Sequence, residues 1–464
     1  MTLASRRRVE LEARLDSIEH DFDRWEALSE PRAELEKHHS QVRRVTRQLR
    51  QYAVAARERL GPPEATGTTN PALVDLLVLD LHAVWGVFSG KLALRCVPHY
   101  RAHLLTADDL AWACYGPARD LALRHGLDLA RVREPPLVYL GGDATPVALG
   151  RGSRYGALVA GGLFGPTLLP ALRALPIPLI GLPWHQVEHV PDLLAVGHEV
   201  GHHVEDDLGL TAALRAELDR VLDEARVPAK RRTAWRAWLG EVFADVYGCM
   251  ATGPAFAGWL LDRLAAAPRE SPPVTTYQPG RSAYPPPAVR ALLVLRCLVR
   301  LGFGSDADAL RKDWTAVGAG RPTPGIDRDV EAVVDAILGV RFPHLGDASL
   351  EAAISFGSSH RCQAVEDGQR LLSHHDPRSE DVRVLVAAAS HAFRKDPPAF
   401  RSKHVSAAVL DRAVAMRASG TRVRRGTAEP SAAALAESDR AAGRRLFDLM
   451  AEGRAGRPGR ASKR

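Results

Sequence analysis

The fold of this chain follows from the stretch Val196-Gly197-His198-Glu199-Val200-Gly201-His202-His203-Val204-Glu205, in which two histidines stand four residues apart and a glutamate follows the first. On an α-helix, residues at this spacing lie on one face, with Cβ atoms about 5–6 Å apart. Imidazoles placed in this way can bind one tetrahedral Zn²⁺ ion. Glu199 lies one step round the helix, where its carboxylate can accept a proton from a water molecule beside the metal. The stretch therefore predicts a helix that carries half of a zinc site.

The residues around this stretch favour a metal site over a surface helix that is rich in histidine by chance. An apolar run, Pro191 to Val196, leads into it. Gly201 stands between the two candidate ligands, although glycine lowers helix propensity by about 1 kcal/mol. A glycine at this position indicates that another backbone packs closely against the helix. We expect the helix to begin near Val190 and to stop at Gly209, a residue type that commonly ends helices.

The pattern His198-Glu199-x-x-His202 resembles the zinc-binding motif of the zincin metallopeptidases. The resemblance covers about residues 135–300 and implies a zinc-dependent peptidase whose fold combines helices with a small mixed sheet. In the metzincin branch the third ligand is a histidine six residues after the second, but position 208 is leucine in this chain. In the gluzincin branch the third ligand is a glutamate on a later helix, followed by an aspartate. The chain therefore resembles the gluzincin type, and no particular family within that type is indicated.

The gluzincin pattern Glu-x-x-x-Asp occurs at Glu241 and Asp245, and it begins 39 residues after His202. The resemblance implies that Glu241 is the third zinc ligand and that Asp245 accepts a hydrogen bond from a ligand histidine, with His198 as the expected donor. Both carboxylates stand on an otherwise apolar helix surface, where they are costly unless paired or bound to a metal. Glu205 is the alternative third ligand, because it lies three residues after His202 on the same helix face. Three ligands from one helix approach an ion from one side, which favours Glu241.

Residues that follow the third ligand are further candidates for the peptidase reaction. Some zincins have a His-Pro segment followed by an arginine in this region, and here the histidine position is Tyr284. We expect Tyr284 to donate a hydrogen bond to the tetrahedral oxyanion and Arg290 to organise the cleft. The alternative is a proline-rich loop that only caps the next helix. His203 points about 100° away from His202 and is expected on the surface or behind a ligand.

The segment from Leu175 to Trp184 precedes the metal-binding helix and is interpreted as an edge strand. Its apolar residues are flanked by prolines, which a sheet tolerates mainly at its edges. In zincins a strand in this neighbourhood borders the cleft and pairs with an extended substrate. The prolines at positions 178 and 183 limit the number of such hydrogen bonds. A second short strand is predicted over 136–140.

Residues 3–60 predict a helical hairpin or coiled coil with two apolar seams. The segment Ser29-Glu30-Pro31 separates the seams and predicts that the second helix begins at Pro31. The alternatives are a helical arm packed on the protein's own body and a surface that binds a partner or a second copy. The seams step by threes and fours through Leu11, Leu15, Ile18, Phe22 and Trp25, and then through Val42, Val45, Leu49, Tyr52 and Ala56.

The whole pattern predicts a predominantly α-helical α+β protein with several domains. These are an N-terminal helical hairpin (1–60), a linker (61–71), a zincin-like metallopeptidase domain (72–345), a helical C-terminal region (346–420) and a low-complexity, mostly disordered basic tail (421–464). Within the tail, 435–450 can form a short amphipathic helix.

Composition limits the classes of partner and compartment. The chain is 46% hydrophobic and 25% charged, as in globular proteins, and has no run of eighteen apolar residues, so no membrane span is expected. The net charge of +7 is spread along an arginine-rich chain without a phosphate-binding glycine motif, which argues against a specific nucleic-acid or nucleotide ligand. Five scattered cysteines and the lack of an apolar leader indicate a cytoplasmic protein, with export by a signal-less route as the alternative.

The leading functional interpretation is a zinc-dependent endopeptidase with Zn²⁺ as its cofactor, Glu199 as general base and a protein or peptide as its substrate. The first alternative is a non-catalytic zinc-containing scaffold that binds a partner through the N-terminal hairpin. The presence of Glu199 favours catalysis, because a non-catalytic protein has no need of the base. A second alternative is hydrolysis of a non-peptide amide at the same metal site.

Overall fold

Helices dominate the part of the chain that the computed structural model describes, which is residues 3–31, 33–61, 71–127, 135–149, 177–265, 284–317, 325–354, 356–418 and 432–455. Within these residues three strands, β1 (Leu137–Gly141), β2 (Val147–Leu149) and β3 (Leu179–Pro183), form a small sheet. The prediction of a predominantly α-helical α+β protein is confirmed.

The α-helices in the described ranges are α1 (Leu3–Leu28), α2 (His39–Leu60), α3 (Pro71–Ala93), α4 (Pro98–Arg124), α5 (Ala195–Asp207), α6 (Thr211–Glu224), α7 (Ala229–Thr252), α8 (Pro254–Ala265), α9 (Pro287–Arg300), α10 (Gly304–Ala316), α11 (Ile326–Gly339), α12 (Leu350–Ala353), α13 (Ser358–Leu372), α14 (Val382–Lys395), α15 (Pro397–Ser402), α16 (Val405–Ala418) and α17 (Ala432–Ala455).

The chain divides into two compact units. The first combines Met1–Pro98, Leu149–Pro178 and Arg422–Arg464, and its described helices are α1, α2, α3 and α17. The second combines His99–Ala148 with Leu179–Thr421, and it holds helices α4 to α16 and the sheet, apart from the last residue of β2. This division groups the predicted N-terminal hairpin (1–60) with α17 and with α3, which was predicted to begin the metallopeptidase domain (72–345). The second unit joins most of that predicted domain to the predicted C-terminal helical region (346–420).

In the first unit, the two predicted apolar seams form the core between α1 and α2. Leu11, Leu15 and Phe22 of α1 are fully buried, as are Val45 and Leu49 of α2. Helix α2 also packs against α3 and α17 of the same unit. The hairpin is therefore packed on helices of its own chain, as in the first of the two alternatives above.

The second helix of the hairpin begins later than the sequence predicts. Helix α2 starts at His39, after a short 3₁₀ turn, and not at Pro31. The Ser29 hydroxyl donates a hydrogen bond to the carbonyl of Glu26 at 2.7 Å, and it lies 3.1 Å from Nδ1 of His39. Ser29 thus closes α1 instead of capping a helix that begins at Pro31.

Helix α17 packs along α2, although the sequence placed these residues in a mostly disordered tail. Asp439 is almost fully buried, and its Oδ1 lies 3.2 Å from Nε of Arg44 and accepts a hydrogen bond from Nε2 of Gln48 at 3.2 Å. A Cβ at Gly443 would lie 2.2 Å from the Gln48 carbonyl oxygen, so only glycine permits this approach. The short helix predicted over 435–450 is confirmed and extends over 432–455, so this part of the predicted tail is ordered as a helix. The rest of that segment lies outside the described residues.

The segment Ala72–Cys96 is long and apolar enough to cross a membrane by length and composition alone. No membrane span was predicted, because the sequence has no uninterrupted run of eighteen apolar residues. The segment contains Asp80, which is 4% exposed and whose carboxylate pairs with Arg454 of α17, with 2.9 Å between Oδ2 and Nε. A core helix of similar length passes the same test, and one such segment is weak evidence for a membrane span.

In the second unit, β3 is the central strand of the sheet and not an edge. The strand order is β1-β3-β2, and β3 pairs in parallel with β1, with Leu137 opposite Leu179. A Cβ at Gly181 would lie 2.9 Å from the Tyr139 hydroxyl and 3.0 Å from Val147, so neighbouring strands enclose it on both sides. The interpretation of 175–184 as an edge strand is wrong. The prolines at 178 and 183 stand before the strand and at its last residue, where they do not interrupt its interior.

We predict that the cysteines differ sharply in reactivity when the chain is native. Cys96 and Cys362 are exposed, whereas Cys114, Cys249 and Cys297 are buried. Burial raises the pKa of the Cys114 thiol to about 12 and that of Cys249 well above its usual value, so these two do not form the reactive thiolate. Iodoacetamide at about pH 8 should label only the two exposed residues, as read by peptide mass spectrometry, and all five after denaturation. Native labelling of Cys249 would contradict the described packing.

Candidate metal centre

Helix α5 carries the His-Glu-x-x-His residues and crosses α7 at close range. A Cβ at Gly201 would lie 2.9 Å from Cβ of Tyr247 and 3.0 Å from Cα of Ala244. One turn earlier, a Cβ at Gly197 would lie 3.7 Å from Cα of Gly248. The expectation that Gly201 meets another backbone is confirmed. Because the two backbones approach so closely, the histidine-bearing face of α5 meets the carboxylates of α7.

Three side chains at this crossing can hold one metal ion. Ligand atoms of His198, His202 and Glu241 all lie within 4.8 Å of one another, and they form the one such group found in the described residues. Nε2 of His198 lies 3.4 Å from Oε2 of Glu241, and Nε2 of His202 lies 3.7 Å from Oε1 of the same carboxylate. The two imidazole rings are nearly perpendicular, at 88°, with centroids 4.9 Å apart.

The donor set and its spacing fit a zinc ion. Ligands at about 2.0–2.1 Å from a tetrahedral ion stand about 3.4 Å from each other. The two His–Glu separations are close to that value. Oε2 of Glu241 is buried and makes no hydrogen bond, a state that costs free energy unless the oxygen meets a cation. Two imidazole nitrogens and one carboxylate form a ligand set that zinc uses in catalytic sites. That these residues bind zinc stays a prediction.

Asp245 and Arg290 stand behind His198. Oδ1 of Asp245 lies 2.9 Å from Nδ1 of His198, a close ion-pair distance at an angle that is poor for a hydrogen bond. The Arg290 guanidinium donates two hydrogen bonds to Asp245, at 2.8 and 2.7 Å. Burial alone would raise the pKa of Asp245, which is fully buried, but Arg290 and His198 hold it well below its usual range. The predicted position of Asp245 next to His198 is observed, and Arg290 contacts this carboxylate directly.

The electrostatics of the two histidines favour a cation between them. Burial alone would lower the pKa of His198, but the carboxylates of Asp245 and Glu241 outweigh burial and raise that pKa to about 10. Burial, assisted by the charge of His198, lowers the pKa of His202 to about 3. His202 therefore keeps a neutral ring with a free lone pair, and the carboxylates attract positive charge to the side of His198.

Glu199 is buried on the same helix, in the position that the sequence predicts for a general base. Its side chain is 6% exposed, and burial raises its pKa to about 7, an effect that His198 reduces and Glu241 increases. A carboxylate with a pKa near neutrality can both accept and return a proton at physiological pH. The metal-binding group does not include Glu199, which leaves its carboxylate available for proton transfer.

Two other polar residues of α5 have structural contacts. Glu205, the alternative ligand, accepts a hydrogen bond from the Thr211 hydroxyl at 2.9 Å and is not part of the metal-binding group in the described residues. His203 is 1% exposed, and its Nε2 donates a hydrogen bond to the carbonyl oxygen of Leu179 at 3.1 Å. The prediction that His203 lies on the surface or behind a ligand is therefore wrong. His203 fastens α5 to the central strand of the sheet, and its offset from His202 indicated a different face but not this partner.

Aromatic residues flank the site, and the sequence indicated one of them. Tyr284 is 49% exposed, and its ring lies over the Arg290 guanidinium, with 5.4 Å from Cζ to the ring centroid. Burial, then the charges of Glu241 and Glu199, raise the pKa of Tyr284 to about 12, so its hydroxyl keeps its proton. Phe256 of α8 stacks on His198 at 6.3 Å between centroids, and no sequence pattern marked it. Residues 275–283, which precede Tyr284 in the proline-rich segment, lie outside the described residues.

Comparisons of the chain with family models, with curated proteins and with solved structures gave no match. The likeness to gluzincin peptidases therefore depends on the residues of the site itself.

We predict that zinc content depends on Glu241 and not on Glu205. Glu241→Ala and His202→Ala remove one of three ligands and should leave the purified protein without stoichiometric zinc, measured by plasma mass spectrometry. Glu205→Ala is the matched control, because it removes a carboxylate of α5 that bonds only to Thr211 among the contacts described. If Glu205→Ala lost its zinc while Glu241→Ala kept it, the ligand assignment would be wrong.

We predict that Arg290 stabilises the fold through Asp245. Arg290→Leu leaves a fully buried carboxylate without its main partner and should lower the free energy of unfolding by about 3–5 kcal/mol. The control is Arg296→Leu on the same helix, whose partner Glu331 is exposed. That change should cost less than about 1 kcal/mol. Urea unfolding followed by circular dichroism measures both, and equal losses would refute the role given to the Asp245 contact.

Proposed function

We propose that this chain is a zinc-dependent metallopeptidase with a zincin-like site of the gluzincin type. The observation that carries the proposal is the convergence of His198, His202 and Glu241 within 4.8 Å, with the carboxylate of Glu199 buried on the same helix. The crossing of α5 and α7 beside a small sheet supports a zincin-like fold for this part of the second unit.

Each residue of the site has a distinct task in this proposal. His198, His202 and Glu241 would hold the ion, and Asp245 would keep the Nδ1 proton of His198 so that Nε2 presents its lone pair. When bound, Zn²⁺ activates a water molecule and polarises the carbonyl of the scissile bond.

Glu199 would transfer the proton of the attacking water, and Tyr284 would assist it. Glu199 would accept it from the attacking water and deliver it to the amine that leaves. The Tyr284 hydroxyl stays protonated at neutral pH and is half exposed near Glu199 and Glu241, so it can donate a hydrogen bond to the developing oxyanion.

The charges around the site favour cleavage inside a peptide over removal of its C-terminal residue. Recognition of a terminal carboxylate needs a cation with free donors. Arg290, the cation that contacts this site in the described residues, directs two of its nitrogens to Asp245. It is therefore poorly placed to hold a terminal carboxylate, and we propose an endopeptidase.

The decisive test is Glu199→Gln, which keeps the shape of the side chain and removes the base. We expect zinc content to stay the same and kcat/KM on a quenched-fluorescence peptide library to fall by about 10²–10⁴-fold, the usual contribution of a general base. Glu205→Gln is the matched control and should keep the wild-type rate. Undiminished cleavage by zinc-loaded Glu199→Gln would overturn the peptidase mechanism. Zinc binding without any hydrolysis by the wild type would favour the scaffold alternative.

A further inference from the structure

A cavity of about 300 Å³ lies in the second unit between α8, α10, α13 and α14. None of the residues assigned to the metal centre lines it. Its volume falls at the lower end of the range for small-molecule sites in proteins. The cavity is therefore separate from the proposed peptidase chemistry.

One side of the cavity is apolar and held rigidly. Leu310, Ala364 and Ala387 line it, and all three are almost fully buried. Phe356 adds an aromatic wall that is fixed by the end of α7. There Gly253 has a φ of +60°, and a Cβ on it would lie 2.8 Å from the Phe356 ring. This side suits the hydrocarbon part of a ligand.

The other side of the cavity carries cationic side chains, two of which are held in place by ion pairs with carboxylates. Arg361 donates to Asp306 through Nε and Nη2, at 2.8 Å for the shorter contact with Oδ1. Arg394 bonds to Asp313 at 2.8 Å through Nη2, and its Nη1 bonds to Asp262 outside the cavity lining. Each arginine is thus fixed by a carboxylate. The exposed Lys395 adds a third cation, so three basic side chains and two acidic ones line the cavity.

His391 lines the same cavity as these cations. Nε2 of His391 is buried and makes no hydrogen bond. Burial, then the charges of Lys395 and Arg361, lower the pKa of this imidazole. A buried polar nitrogen in a positive field is stabilised by an anionic acceptor.

We propose that this cavity binds a small monocarboxylate with an apolar body, such as a short aliphatic or aryl acid. The apolar body would lie against Leu310 and Phe356, and the carboxylate would face His391, Lys395 and Arg361. Arg361 and Arg394 already pair with carboxylates in the described residues, so the single negative charge of the ligand would pair chiefly with Lys395. A doubly charged phosphate fits less well, because Asp306 and Asp313 would repel it.

Isothermal titration of the full chain with hexanoate and phenylacetate tests the proposal, with hexanamide and phenylacetamide as neutral controls of the same shape. We expect saturable binding of at least one acid and binding of its amide weaker by about tenfold or more. Failure of both acids to bind, or equal binding of acid and amide, would overturn the proposal.

Two variants locate the ligand. Ala309→Phe narrows the cavity from its exposed side and should abolish binding, whereas Ala316→Phe on the same helix lies outside the lining and should not. Lys395→Gln should weaken binding of the acid by about threefold to tenfold without affecting the amide, and Lys312→Gln is its exposed control.

Circular dichroism verifies the fold of each variant. If Ala309→Phe does not fold, the comparison of Lys395→Gln with Lys312→Gln tests the location of the site, because both lysines are exposed. Unchanged affinity in folded Ala309→Phe, or equal effects of the two lysine variants, would refute the assignment of the site.

Discussion

The close crossing of α5 over α7 is the constraint on which the site depends. Glycine at 201 brings the α5 backbone to within van der Waals contact of Ala244 and Tyr247, and Gly197 does the same at Gly248. A methyl group at position 201 would push the helices apart by several tenths of an ångström or more. Because His202 and Glu241 are already 3.7 Å apart across this crossing, such a shift would weaken the shared ligand geometry before it unfolded the chain.

The crossing also concentrates negative charge in a buried place. The charges of Glu241 and Asp245 add to burial in raising the pKa of Glu199, and Arg290 lowers the pKa of Asp245. The remaining carboxylates are costly to bury unless a cation or a proton compensates them. A metal ion held by His198, His202 and Glu241 would compensate these carboxylates directly. The physical case for a metal centre is therefore electrostatic as well as geometric.

The parts of the site that were predictable from sequence are those with local periodicity. The four-residue spacing of His198 and His202 depends only on helix geometry. Glu241 and Asp245 were indicated by the resemblance to the gluzincin pattern, and their place on an apolar helix surface supported that prediction. The place of β3 was not predictable in this way, since its prolines fit a strand end as well as a sheet edge. The packing of helix α17 was not predictable, because an Arg- and Ala-rich composition does not reveal the contact between Asp439 and Arg44, which are distant in sequence.

The two candidate sites select ligands of opposite charge, and helix α7 takes part in both. Its middle carries Glu241 and Asp245, which make the metal centre rich in carboxylates, and its last residue, Thr252, lines the cavity in which basic residues are in excess. In the two proposals the metal centre would bind a cation and the cavity an anion, so neither ligand would replace the other. Since a single rigid helix fixes both positions, occupancy of either site restrains the same element. The stability of α7 is then the property through which the two sites can influence each other.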